Sequence, residues 1–131
     1  MRNIAIVEDE DEAAAKLADY IKKYAAAFGQ EFKVTRFKNA ADFLSDYKAV
    51  YAVVFMDIQM PKMNGMDGAV ELRKLDKTVS IIFRTNLVQF AQKGYEVDAV
   101  SFLVKPVSYF DFSLKFRKAL DIYVMNEERS I

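Results

Sequence analysis

Apolar and polar residues change period repeatedly along this chain, and each change marks an element. Residues 3–7 (NIAIV) form a short apolar run suited to a strand. Ala14, Leu17, Ala18, Ile21, Tyr24, Ala25 and Phe28 then recur at helical spacing, with Lys16, Asp19, Lys22 and Lys23 off that face and Gly29 as a stop. Residues 32–37 (FKVTRF) alternate as a half-buried edge strand does. Asn39 suits the N-cap of a helix over 40–47, on which Ala40, Phe43, Leu44 and Tyr47 share a face. Residues 52–56 (AVVFM) are apolar throughout, the mark of a parallel strand covered on both sides. There follow a short helix over 66–75 weakened by Gly68, a strand over 79–85 (VSIIFRT) and a weak helix over 88–95. A strand over 99–104 (AVSFLV) and a last helix over 108–125, with Ser108 as N-cap, complete the pattern.

Strand followed by helix, five times over with short connections, predicts an α/β fold: a doubly wound five-stranded parallel sheet with helices on both faces. At 131 residues this is one domain, and the flavodoxin-like strand order 2-1-3-4-5 suits its length. Residues 1–125 are read as that domain and 126–131 as the start of a linker or C-terminal tail. No apolar run approaches the ~18 residues of a membrane span, which predicts a cytoplasmic protein with no membrane partner. Nineteen Lys and Arg balance 19 Asp and Glu, so these residues carry no electrostatic footprint for nucleic acid. Cysteine and histidine are both absent, which excludes thiolate and imidazole chemistry. Carboxylates, hydroxyls and lysine remain.

Those groups stand at strand ends. The apolar strand at 52–56 runs into Asp57 and a turn with Pro61 and Gly65. A carboxylate inside a sheet is costly, so Asp57 belongs at the carboxyl edge, where open α/β sheets bind ligands. The first strand ends on Glu8 and Asp9, the fourth on Thr85, the fifth on Lys105. In the order 2-1-3-4-5 these could converge on one pocket. Clustered carboxylates take up protons unless a cation lies between them, and an all-oxygen donor set suits Mg²⁺. A carboxylate nucleophile beside Mg²⁺ is the arrangement for forming an aspartyl phosphate, with Lys105 and Thr85 on the phosphoryl oxygens.

IAIVEDE (4–10), VFMDIQMPKMNG (54–65), IIFRT (81–85) and SFLVKP (101–106), in this order and spacing, resemble the receiver domain of bacterial two-component response regulators. The resemblance covers residues 3 to about 124. It implies that Asp57 accepts a phosphoryl group from a sensor histidine kinase. It further implies Mg²⁺ on Asp9 and Asp57, on Glu8 through water and on the Gln59 backbone carbonyl, and a Lys105-Pro106 peptide that is often cis. Thr85 and Phe102 hold the switch positions. Phe90, Ala91 and Tyr95 to Ala99 approximate a stretch usual in receivers with a LytTR-type DNA-binding output, as in LytR and AlgR-like regulators. Such an output would lie outside these residues, so DNA would be reached only through it. A homodimer through the helix at 88–95, the fifth strand and the last helix is the other implied partner. By the same resemblance the chain is no enzyme beyond catalysing its own phosphorylation and dephosphorylation.

Each residue alone has a plainer reading. The acids 8–12 would complement the dipole of the first helix, and Thr85 would be an ordinary β-former. The plain readings fail together, because they do not account for which strand ends on which group. Departures from the family pattern are Glu8 for Asp, Asn86 for a small residue, Phe102 for Tyr and the charge of Arg84 in an apolar strand. A stand-alone or phosphorylation-independent interaction module is the alternative. A haloacid-dehalogenase-like phosphohydrolase would need its nucleophile on the first strand, and a flavodoxin would need a first loop that does not repel phosphate. The last helix is more apolar than one stripe requires, as a dimer surface or a wide packing face would be.

Overall fold

The computed structural model describes residues 1–60, 63–85, 99 and 101–129. The elements are β1 (Arg2–Val7), α1 (Asp11–Phe28), β2 (Phe32–Phe37), α2 (Ala40–Leu44), β3 (Tyr51–Asp57), α3 (Gly65–Leu75), β4 (Ser80–Thr85), β5 (Ser101–Val104) and α4 (Tyr109–Arg129). The sheet is parallel throughout, in the order β2-β1-β3-β4-β5. This is the predicted doubly wound, flavodoxin-like arrangement. Alternate residues of β3 feed the two faces, as strand geometry requires. Val53 and Phe55 pack with Leu17, Ile21, Phe112 and Phe116 of α1 and α4. Val54 and Met56 pack with Ala69 and Leu72 of α3 and with Phe83.

Local chemistry ends the elements where expected, with two differences. Gly29 takes the left-handed conformation (φ 62°) and its N–H returns to the Ala25 carbonyl, closing α1. Asn39 caps α2 by accepting from the Asp42 N–H, yet α2 stops at Leu44 rather than at residue 47. Tyr47 is instead drawn across to α3's end, where its hydroxyl donates to Asp76 Oδ2 at 2.7 Å. The Ser108 hydroxyl accepts from the Asp111 N–H at 3.1 Å and opens α4. That helix runs on through residues 126–129, which the sequence pattern assigned to a tail. The Tyr123 hydroxyl bonds Glu127 at 3.0 Å across one turn of this extension. The predicted helix over 88–95, the LytTR-like stretch up to Asp98, and Asn86 and Pro61 lie outside the described residues. No helix among the described residues is long and apolar enough to cross a membrane.

Candidate functional site

Strand order decides what meets at the carboxyl edge. β1 and β3 are neighbours, with Val7 beside Met56, so Glu8 and Asp9 emerge next to Asp57. β4 lies on the other side of β3 and sets Arg84 beside Asp57. Carboxylate oxygens of Glu8, Asp9 and Asp57 all lie within 4.8 Å of one another. Glu8 and Asp57 are only 1% and 2% exposed, so their charges need partners. Asp57 accepts from the Gln59 N–H at 3.1 Å on Oδ1 and from Lys105 Nζ at 3.2 Å on Oδ2. Glu8 accepts from the Glu10 N–H at 3.1 Å on Oε2 and from the Arg84 guanidinium on Oε1. Burial is the largest influence on Glu8. With the nearby Asp57 charge it outweighs the Glu10 N–H and Arg84 and pushes the carboxyl up to about 7.

The remaining predicted residues fall around this cluster. Thr85 is buried at the end of β4, and its carbonyl accepts the Lys105 N–H at 3.0 Å, which ties the two strand ends together. The Lys105-Pro106 peptide is cis. Phe102 stacks on Phe83 with ring centroids 5.5 Å apart. Its carbonyl accepts from Lys115 of α4 at 2.5 Å, a contact between switch position and last helix with no signature in the sequence. The role of Arg84 was likewise missed. Its charge in an apolar strand was the available signal, but only the register of β4 against β3 shows what it faces.

Asp57 also depends on a close backbone approach. The Gly65 N–H donates to the Ile58 carbonyl at 2.9 Å, folding the loop after β3 back on itself. A Cβ at position 65 would stand 2.1 Å from the Asp57 carbonyl oxygen. Overpacking costs ~1–3 kcal/mol, and a clash with backbone belongs at the upper end. Helix propensity returns up to ~1 kcal/mol. Gly65→Ala is therefore expected to lose a net ~2 kcal/mol, read as a lower urea midpoint. An unchanged midpoint would mean that the loop yields freely.

An all-oxygen cluster of three carboxylates, Glu8 and Asp57 buried and Asp9 half-buried, fits Mg²⁺ by the chemistry of its donors. The fold and this acidic edge define a flavodoxin-like domain of the receiver type. The response regulator receiver domain model matches residues 4–114, and the chain belongs to that family: it is a receiver domain of two-component response regulators. Among curated proteins it is 33% identical over 109 residues to the sensory transduction protein LytT of Bacillus subtilis, covering 81% of this chain and 43% of that protein. It is 30% identical over 117 residues to the positive alginate biosynthesis regulatory protein of Pseudomonas aeruginosa, covering 89% and 46%. The chain thus spans less than half the length of these relatives. Among solved structures, the response regulator TrrA of Thermotoga maritima, in complex with Mg²⁺-BeF, superposes with TM-score 0.77 at 23% identity over 92% of this chain and all of that one. The response regulator StyR gives TM-score 0.85 at 18% identity over 98% and 64%. Receiver domains of this family are generally not enzymes, partner with histidine kinases and bind Mg²⁺ at an acidic pocket.

Proposed function

We propose that Asp57 is the phosphoacceptor of this receiver, acting in the cytoplasm, and takes its phosphoryl group from the phosphohistidine of a sensor histidine kinase. One observation carries the reading: Lys105 Nζ, Glu8 and Asp9 converge on the single buried carboxylate that ends β3. An Asp57 oxygen forms the bond to phosphorus while the donor's P–N bond breaks, and the leaving imidazole keeps the electron pair and takes a proton. Lys105 holds positive charge where the phosphoryl oxygens arrive, and the Thr85 hydroxyl binds one of them. Glu8, Asp9, Asp57 and the Gln59 carbonyl would hold Mg²⁺, which supplies charge neutralisation when bound.

Movement of Thr85 toward phosphate would draw Phe102 inward and pull on α4 through Lys115. Residues 1–125 are the receiver unit in this reading, with 126–131 leading into a linker that starts helical. The output is transcription through a LytTR-type DNA-binding domain outside these residues, with homodimerisation through the α4 and β5 face.

Intact mass after incubation with acetyl phosphate tests the reading. The expected result is a gain of one phosphoryl group that needs Mg²⁺, fails in EDTA and is discharged by hydroxylamine, as an acyl phosphate is. A folded protein with Mg²⁺ that gains no mass would instead be a receiver fold used as a constitutive binding module.

A further inference from the structure

Arg84 stands inside the acidic pocket. Its position in β4 faces Asp57 across the strand pair, and its side chain is only 13% exposed. Nη1 bonds Glu8 Oε1 and lies 3.8 Å from Asp57 Oδ2, so the guanidinium bridges two of the three carboxylates. Lys105 already answers the same Asp57 oxygen at 3.2 Å. Two buried carboxylates are thus matched by two cations from the chain itself. A divalent ion on the same oxygens would sit within a few ångströms of the guanidinium and be repelled by it. Arg84 has somewhere else to go. It borders a cavity of about 430 Å³ walled by Ala13, Leu17, Tyr20 and Val107. The Lys16 ammonium already lies over the Tyr20 ring at 5.7 Å and Lys105 borders the same cavity, so it has room for the guanidinium but is the poorer place for a cation.

We propose that Arg84 is a built-in counter-cation that competes with Mg²⁺ for Glu8 and Asp57, so that the metal enters only as Arg84 swings toward the Tyr20 cavity. The inference rests on the reading of this cluster as the Mg²⁺ site of a phosphoacceptor. Metal affinity is then set by exchange of one cation for another, and the metal-free pocket is held closed by Arg84.

The test is direct Mg²⁺ binding by titration calorimetry, with melting curves in EDTA and in Mg²⁺. The proteins are the wild type, Arg84→Gln and Arg84→Lys. Arg84→Gln removes the charge while retaining a long polar side chain. It is expected to bind Mg²⁺ about tenfold more tightly or better, a modest share of the repulsion removed. Its melting temperature should fall in EDTA and recover in Mg²⁺ by more than the wild type gains. Arg84→Lys retains the charge and should stay near the wild-type affinity. A variant that is unfolded in EDTA is scored by the Mg²⁺ concentration at which it folds.

Equal Mg²⁺ affinity in all three proteins, with melting lowered by the same amount in EDTA and Mg²⁺, overturns the inference and leaves Arg84 a structural ion pair. Equal tightening by Gln and Lys overturns it too, because shape rather than charge would then matter. No Mg²⁺ binding by any of the three sinks the metal site and this inference together. Tighter Mg²⁺ binding by Arg84→Gln alone, in a protein that never gains a phosphoryl group, would uphold the competition and refute the phosphoacceptor.

Discussion

Asp57→Asn is expected to gain no phosphoryl group under conditions in which the wild type is fully modified, as read by intact mass. Asparagine has nearly the size of aspartate, and its amide oxygen can still accept from the Gln59 N–H, held at 3.1 Å in the wild type. What it loses is the anionic oxygen that attacks phosphorus. Removing one of three clustered carboxylates also relieves repulsion on Glu8, so the fold is expected to survive. Melting temperature checks that separately from the mass. Lys105→Ala gives the contrast. It removes a donor 3.2 Å from Asp57 but leaves the nucleophile. Loss of one preorganised donor to developing charge costs ~10²–10³ in rate. The label should therefore still appear on Asp57, but slowly. Residual labelling of Asp57→Asn would place the phosphoryl group on another residue. Wild-type kinetics in Lys105→Ala would make that lysine a plain counter-ion.

The difference between those two variants reflects what a sequence can reveal. The meeting of Asp57, Glu8, Asp9, Thr85 and Lys105 at one sheet edge was legible because each stands at a strand end, and the doubly wound order 2-1-3-4-5 suits alternating strands and helices in a chain of this length. The site residues come together by topology, which one chain's hydrophobic pattern largely determines. Arg84 was not legible in that way. Its effect depends on lateral register between β3 and β4, and on side-chain length against a pocket formed by a third strand. Lys115 on the Phe102 carbonyl is similar, since it depends on how α4 settles against β5. The shortened α2 has the same origin. The apolar face of residues 40–47 suggests a longer helix, but the Tyr47 hydroxyl gains a buried carboxylate partner by leaving it. Helical period describes the burial of a side chain's body and says nothing of where its polar tip must go.

Phe116→Ala is expected to destabilise the domain by ~3–5 kcal/mol. Phe116 is fully buried at the middle of α4. Its ring meets Tyr24 of α1 at 5.0 Å, Phe32 of β2 at 5.2 Å, Phe55 of β3 at 5.6 Å and Phe112 one turn back at 5.2 Å. These partners come from four elements, so no single rearrangement can close the cavity that alanine leaves, and collapse around it is limited. Against a total stability of ~5–15 kcal/mol this is a large fraction. A fall of roughly 10–20 °C in melting temperature should follow. Phe110 lies on the same helix but is 73% exposed, and Phe110→Ala should change stability by no more than ~0.5 kcal/mol. The pair divides the apolar excess of α4 into a buried and an exposed part. Phe112 and Phe116 pin the helix to the sheet, while Phe110 and Leu114 stay exposed. A loss for Phe116→Ala near that of Phe110→Ala would mean that α4 is loosely docked. The pull of Lys115 on the Phe102 carbonyl would then move a helix that is already free, and phosphorylation would have little left to switch.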